Sequence, residues 1–341
     1  MAVTLKQIAE IAGVSRGTVD RALHDRGRVS AKVAERVRRI AEELGYHPNA
    51  VGQALARSRK QIKIGIIVQS AETPTMKIVV EGAEQAARAL QKEGVEVVIR
   101  TMESVDAIQE MLYLDELMEM GIHGLAITPA DDAIICEKLN EIADQGIPVV
   151  TFNADLPQSR RMCFVGQDNA RAGRTAAGLM ALMVARDGKV ATITGHLRND
   201  GHRMRCTSFS EELRCIAPDI MTLPIQPCFD RDDCAYELTQ HLLAEHPDLA
   251  GIYVAANGQH GVCEALREAG RDGKVRVIAY DVTPQNIDEL RQGTISILID
   301  QTAREQGSRP LMLLRDFILY GRRPEHSFCY TGITLKTRYN L

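Results

Sequence analysis

From Ile62 onward the sequence alternates short apolar runs with amphipathic stretches about every 25–30 residues, and this rhythm allows very few architectures. The runs are KIGIIVQ, VEVVIR, GLAITP, IPVVTF, CFVGQ, KVATITG, LAGIYVA, VRVIAYD and TISILID. Many follow a stretch ending in glycine, as in QKEGVEVV, DQGIPVV, ARDGKVATI and RQGTISIL. Strands this continuously apolar are buried on both faces, which means a parallel sheet with helices above and below. So many strands between residues 62 and 341 suit two doubly wound lobes better than one. Ligands of such sheets lie outside the carboxyl ends of the strands, so the polar residues just after the strands are the candidates for function.

The first 60 residues have a different character. They hold 12 Lys and Arg against 6 Asp and Glu, a net of +6, while the rest, with 29 against 39, carries −10. A basic head on an acidic body is the electrostatic outline of a nucleic-acid-binding module joined to something that does not touch the polymer. Leu5, Ile8, Ala9 and Ala12 recur at helical spacing behind Thr4, an N-cap candidate. Gly13-Val14-Ser15 makes a tight turn, and Ser15 caps a second helix over Arg16–His24 that turns Val19 and Leu23 inward. Ser30 caps a third, Ala31–Leu44, with Val33, Val37, Ile40 and Leu44 on one face. This is the pattern of an all-α helix-turn-helix. A short polar helix, Asn49–Arg57, and a basic SRK stretch follow.

The stretch TLKQIAEIAGVSRGTVDRALHDRGRVS, followed by YHPNAVGQALA, resembles the lactose/galactose-repressor family of transcription regulators. Residues 62–341 are similar to that family's effector domain and to the ribose-binding branch of the type I periplasmic binding proteins, through IPVVTFNAD, FVGQDNARAGR, GHRMR, VIAYDVTPQN and ILIDQ. The resemblance implies a helix-turn-helix head at 1–47, a hinge helix and linker at 48–61, and an α/β doubly wound effector domain at 62–341. One lobe spans about 62–167 and 302–331, the other about 168–301 and 332–341. It also implies a repressor that binds a pseudo-palindromic double-stranded DNA operator as a homodimer and responds to a sugar or polyol. Arg16 and Arg21, exposed on the second helix, suit the O6/N7 edge of guanine. Ser15, Thr18 and Ser30 suit phosphates, with Thr4, Gly17 and Asn49 also in the interface, and the leucine matching Leu55 wedges into the minor groove. Two departures bear on the operator: Asp20 stands where the family commonly has serine, and Gly17 removes a side chain that usually reads a base.

Matched to ribose-type sites, the cleft takes Thr73, Thr75, Met76, Thr128, Asn153 and Asp155 from one lobe and Arg203, Phe229, Asn257, Asp281 and Gln301 from the other. Sugar hydroxyls both donate and accept. A carboxylate, a guanidinium and three amides answer both needs, and Phe229 can cover an apolar ring face. The first lobe departs from ribose-type proteins, with Thr75 and Met76 in place of aromatics and Asn153-Ala154 in place of an Asp-Arg pair. A purine effector needs stacking surface, which 4% aromatic residues and no Trp scarcely provide.

Other classes lack their signatures. No stretch of about 18 apolar residues offers a membrane span, and the N-terminus, with Lys6 and Glu10, has no signal core, so the expected location is the cytoplasm. Eight cysteines without a C-x-x-C pair read as reduced, mostly buried thiols. Asp230, Asp232 and Asp233 crowd between Cys228 and Cys234, but Ala235 and His241 stand where a calcium loop needs glycine and glutamate. An acidic helix N-terminus explains them better, and no metal or cofactor is expected. Nor does any phosphate-binding, dinucleotide or nucleophile-elbow motif occur, so no enzyme activity is expected. The absence of apolar heptads after Tyr320 favours a dimer over a tetramer.

Overall fold

The computed structural model describes residues 5–23, 29–44 and 62–341. The chain divides into two compact units, Met1–Lys60 and Gln61–Leu341. Thr4, Asn49, Leu55 and the hinge helix lie outside the described residues.

In the first unit three helices run over Leu5–Ala12 (α1), Arg16–Leu23 (α2) and Ala31–Glu43 (α3). Gly13 takes φ +62° in the turn between α1 and α2, a conformation that costs glycine nothing. Ser15 opens α2: its Oγ accepts from the Thr18 backbone N–H at 3.1 Å, satisfying one of the free donors of the first turn. Ile8, Ala12, Val19, Ala22 and Val37 are all but fully buried and form the small core.

The second unit is built on two sheets, each covered on both sides. In the first sheet are β1 (Ile62–Val68), β2 (Val95–Thr101), β3 (Gly124–Ile127), β4 (Val149–Phe152), β5 (Cys163–Gly166) and β12 (Phe328–Tyr330). Their order is β12-β5-β4-β3-β1-β2, all parallel. Helices α4 (Pro74–Gln91) and α12 (Ala303–Tyr320) pack on one face over Ile64, Ile66 and Val68. On the other face α5 (Ala107–Glu119) and α6 (Ala133–Asp144) pack over Ile67 and Leu125.

The second sheet has β6 (Lys189–Thr194), β7 (Met221–Thr222), β9 (Leu249–Val254), β10 (Arg276–Tyr280), β11 (Ile297–Asp300) and β13 (Thr334–Lys336), with β8 (Gln226–Pro227) pairing further along β6. Only β13 is antiparallel, beside β11. Helices α7 (Asn169–Met183) and α8 (Asp200–Ile216) cover one face. The other carries α9 (Asp232–Glu245), α10 (Gln259–Glu268) and α11 (Pro284–Gln292). Each fully buried Ile or Leu in these four layers is worth about 1.5–3 kcal/mol.

The chain crosses between the sheets three times: after Gly166, after Gln301 and after Thr331. The crossovers are tied together, because the Thr331 N–H donates to the Gly166 carbonyl at 2.7 Å and the Thr331 hydroxyl to the Gln301 carbonyl at 3.0 Å. Helices α4 and α12 meet backbone to backbone. A Cβ on Gly307 would stand 1.9 Å from the Val79 carbonyl oxygen, and one on Gly82 2.1 Å from that of Arg304. No side chain fits at either contact.

Candidate effector-binding site

The parallel strands of each sheet run in one direction, so their carboxyl ends lie along one edge, and polar residues follow several of them. Asp281, next after β10, is the centre. It holds φ +71°, a left-handed backbone that aspartate tolerates better than most residues. Asn286, on α11, fixes that turn by donating from Nδ2 to the carbonyls of Tyr280 at 3.1 Å and Asp281 at 3.0 Å.

Each carboxylate oxygen of Asp281 accepts one bond: Oδ2 from the Thr75 hydroxyl at 2.7 Å and Oδ1 from Gln301 Nε2 at 2.7 Å. Thr75 belongs to the first lobe, so the first bond joins the lobes directly. The Gln301 oxygen accepts from Arg205 Nη2 at 2.9 Å, while Arg205 also donates to Asn169 and the Ala255 carbonyl and lies 3.8 Å over the Tyr280 ring. From the first lobe, Gln306 Nε2 donates to the Gln301 carbonyl at 2.9 Å, and Asn153 Nδ2 donates to Gln306 Oε1 at 3.0 Å. Asn153 too has positive φ, +63°. The result is a chain of bonds, Asn153–Gln306–Gln301–Asp281–Thr75, with Arg205 as its cation. Burial pushes the Asp281 carboxyl above its usual range, opposed by the Thr75 bond, the Arg205 charge and the Gln301 bond.

A second group sits after β6, β8 and β9. Phe229 is exposed, at φ +57°, with the His196 ring edge-on at 5.5 Å. Asn257 donates through its backbone N–H at 3.1 Å and its amide at 3.3 Å to Asp230 Oδ1. Burial holds the His202 imidazole down at about 4, so it is neutral at physiological pH. A groove of about 700 Å³ opens beside the Thr75–Asp281 bond, lined among others by Asp300, Arg304, Glu305 and Ser308. It follows α4 and α12 and does not reach Asn153, Phe229 or Asn257.

Of the residues expected in the cleft, Thr75, Asn153, Asp281 and Gln301 are thus brought into one network, and Phe229 and Asn257 stand together in the second group. The others are placed differently. Met76 is buried in the core under α4, because its position on the helix faces the sheet. Asp155 turns away to Arg161, which grips it through Nε at 2.5 Å and Nη2 at 2.7 Å, and accepts from Thr151 as well. Thr128 is buried within the sheet, its hydroxyl accepting from the Gln69 N–H at 2.8 Å. Thr73 precedes α4 and donates to the Ser70 carbonyl. Arg203 is half exposed and paired with Asp200 at 2.6 Å. The guanidinium in the network is that of Arg205, two residues on. Its signal was in the sequence: Arg205, Phe209 and Leu213 form the buried stripe of α8 at four-residue spacing, and Arg203 lies off it.

In the first unit, Arg16 and Gly17, expected at DNA, are exposed in the first turn of α2. Arg21 donates from Nε to the Gly17 carbonyl at 3.0 Å, and the hydroxyls of Ser15 and Thr18 are 2.9 Å apart. Ser30, before α3, is exposed.

Among the described residues no helix is long and apolar enough to cross a membrane, and no group of three or more acidic, His or Cys side chains could hold a metal. The periplasmic binding protein domain family matches residues 64–322, and the bacterial regulatory proteins of the lacI family match residues 4–49. The HTH-type transcriptional regulator IpsA of Corynebacterium glutamicum is 26% identical over 338 residues, covering 87% of this chain and 92% of that protein. The D-ribose/D-allose-binding protein of Pseudomonas aeruginosa is 25% identical over 231 residues, 66% of this chain and 72% of its own. Among solved structures, a sugar-binding protein of a sugar ABC transporter from Bacillus halodurans superposes with a TM-score of 0.74 at 28% identity, covering 82% of this chain and 98% of that one. The chain belongs to the periplasmic binding protein domain family, which spans residues 64–322 and has the fold of sugar-binding proteins, and it carries at residues 4–49 the DNA-binding head of the lacI-type bacterial regulatory proteins.

Proposed function

We propose that this regulator is a cytoplasmic homodimeric repressor whose effector, an uncharged sugar or polyol, binds between the lobes at Asp281. The observation that carries the effector class is the composition of the bond network. One carboxylate and one guanidinium compensate each other through Gln301, and every other member is a hydroxyl or an amide that can serve a ligand hydroxyl. A phosphorylated ligand would bring an anion toward Asp281 with Arg205 already committed to three acceptors. The names of the Pseudomonas and Bacillus relatives support a sugar.

For the head we propose that Arg16 and Arg21 reach base edges while Ser15, Thr18 and Ser30 set the register on phosphates, with Thr4, Gly17, Asn49 and Leu55 completing the interface. Arg21 would then exchange its bond to Gly17 for one to the base.

A thermal-shift screen of sugars, polyols and their phosphates tests the effector. A ligand present at a hundredfold excess over its dissociation constant stabilises the folded form by about 2.7 kcal/mol. Stabilisation by phosphates alone would overturn the uncharged class. A gel shift with the DNA upstream of the gene, with and without each hit, tests the regulator, and sedimentation tests the dimer.

A further inference from the structure

Gln167 stands out among the buried side chains of the described residues. It is 3% exposed, and neither its Oε1 nor its Nε2 has a hydrogen-bond partner. No other buried side chain of the described residues leaves an entire amide unanswered. Evolution seldom leaves both halves of a buried amide unpaired, because each group then carries its full desolvation cost.

Its position is well defined. Gln167 is the first crossover residue after β5, and the chain on either side is held. Gly166 accepts from the Thr331 N–H, Asp168 caps α7 by accepting from the Arg171 N–H at 2.9 Å, and Asn169 accepts from Arg205 at 2.7 Å. Both flanks therefore lead to Gln301, one through Thr331 and the other through Arg205. Strand alternation puts Gln167 on the same face as Cys163 and Val165, the face packed by α4 and α12, at the end where Thr75 and Gln306 enter the network.

We infer that Gln167 is an effector-contact residue, reading a pair of neighbouring hydroxyls on the ligand. The amide offers a donor and an acceptor side by side, and a vicinal diol offers the complementary acceptor and donor at similar spacing. The ligand class is therefore a polyhydroxylated one with at least one such diol, beyond the hydroxyl that competes with Thr75 for Asp281. This rests on the sugar or polyol reading given above.

The test compares the full-length wild type with Gln167→Met, which keeps the length and removes both polar atoms. Melting is measured without ligand, and titration calorimetry is run with D-ribose and D-allose. The expected result is a variant that melts higher by about 3 °C, since the unanswered amide is gone, yet binds the sugar at least about tenfold more weakly. A higher melting temperature with unchanged affinity overturns the proposal, because the amide would then be an orphan without a ligand. A lower melting temperature overturns it too, because the amide would then be serving the fold. Where wild type binds another sugar or polyol of the thermal screen instead, the comparison is run with that ligand; if it binds none of them, the sugar reading falls and this proposal with it. Should the methionine variant not fold, Gln167→Leu gives the same comparison.

Discussion

Replacing Asp281 by Asn isolates the charge at the centre of the site. Asparagine accepts the left-handed backbone at φ +71° nearly as well as aspartate, so the turn held by Asn286 survives. Its oxygen can accept from Gln301 Nε2, which can only donate, and its amide can donate to the Thr75 hydroxyl, which can turn round. Both bonds persist, and each falls from a charge-assisted strength of about 1.5–3 kcal/mol to a neutral one of about 0.5–1.5 kcal/mol. The bonds to Thr75 and Gln301 weaken with and without ligand and cancel, so two such losses at bonds the effector adds to the free lone pairs come to about 2 kcal/mol, or about thirtyfold in affinity. Stability should hold or rise, because burial already disfavours the charged form of this carboxyl. Isothermal titration with a sugar from the thermal screen, alongside melting by circular dichroism, reads both quantities. Affinity within twofold of wild type would show that the effector does not meet Asp281. Alanine at the same position is a poorer probe: its strain at positive φ adds about 1–2 kcal/mol of instability unrelated to binding.

Three other perturbations have defined outcomes. Glu110 is fully buried on α5 and, among the described residues, is answered by the Ala130 N–H, and burial pushes its carboxyl up to about 7. Stability from its neutral form is present below the ordinary carboxyl range and lost as pH rises through about 7, so Glu110→Gln should gain up to about 3 kcal/mol over wild type at pH 8 and nothing at pH 4 in urea unfolding; parallel pH profiles would refute this. Gly307→Ala, forced against the Val79 carbonyl, should cost about 1–3 kcal/mol or more, whereas Gly178→Ala, with nothing within 4 Å, should be neutral or stabilising by up to about 1 kcal/mol in thermal melts. Arg16→Ala should cost about 1–3 kcal/mol on operator DNA in gel shifts and much less on random DNA. Equal losses on both would make Arg16 a phosphate contact.

The architecture was legible because burial on both faces makes apolar runs of the strands, and all nine runs became strands. The strands that escaped notice, Met221–Thr222, Gln226–Pro227, Phe328–Tyr330 and Thr334–Lys336, are two or three residues long and partly exposed, so they carry no such signal. The bond network around Asp281 was legible where position on a strand decides it. Asp281 and Gln301, taken from the match to ribose-type sites, also follow strands at the carboxyl edge, where the edge rule points without knowledge of the partners. It fails where a distant partner decides. Asp155 also follows a strand, but Arg161 claims it. Met76 is turned inward by its place on α4, and Arg205 rather than Arg203 lies on the inner stripe of α8. Helical phase would have separated the two arginines, whereas nothing local announces the Asp155–Arg161 pair.

The closed network also limits what can act as an effector. Asp281, Gln301 and Asn153 are already bonded, so a ligand gains only the difference between its own bonds and those it replaces. A single hydroxyl presented to Asp281 would merely stand in for Thr75, and its binding would still have to offset the loss of translational freedom. Net affinity therefore needs a ligand that reaches groups the protein leaves unanswered while it displaces Thr75. Gln301 makes that displacement felt beyond the site. Its side chain serves Asp281 and Arg205, and its carbonyl holds the Thr331 hydroxyl of the neighbouring crossover. On the reading proposed above, a ligand that takes the place of Thr75 breaks one of the bonds between the lobes, in a chain whose middle member, Gln301, also holds the crossover at Thr331. If the effector binds at Asp281 as proposed, recognition and lobe angle are one equilibrium, and a ligand shifts it only by its difference in affinity for the two arrangements.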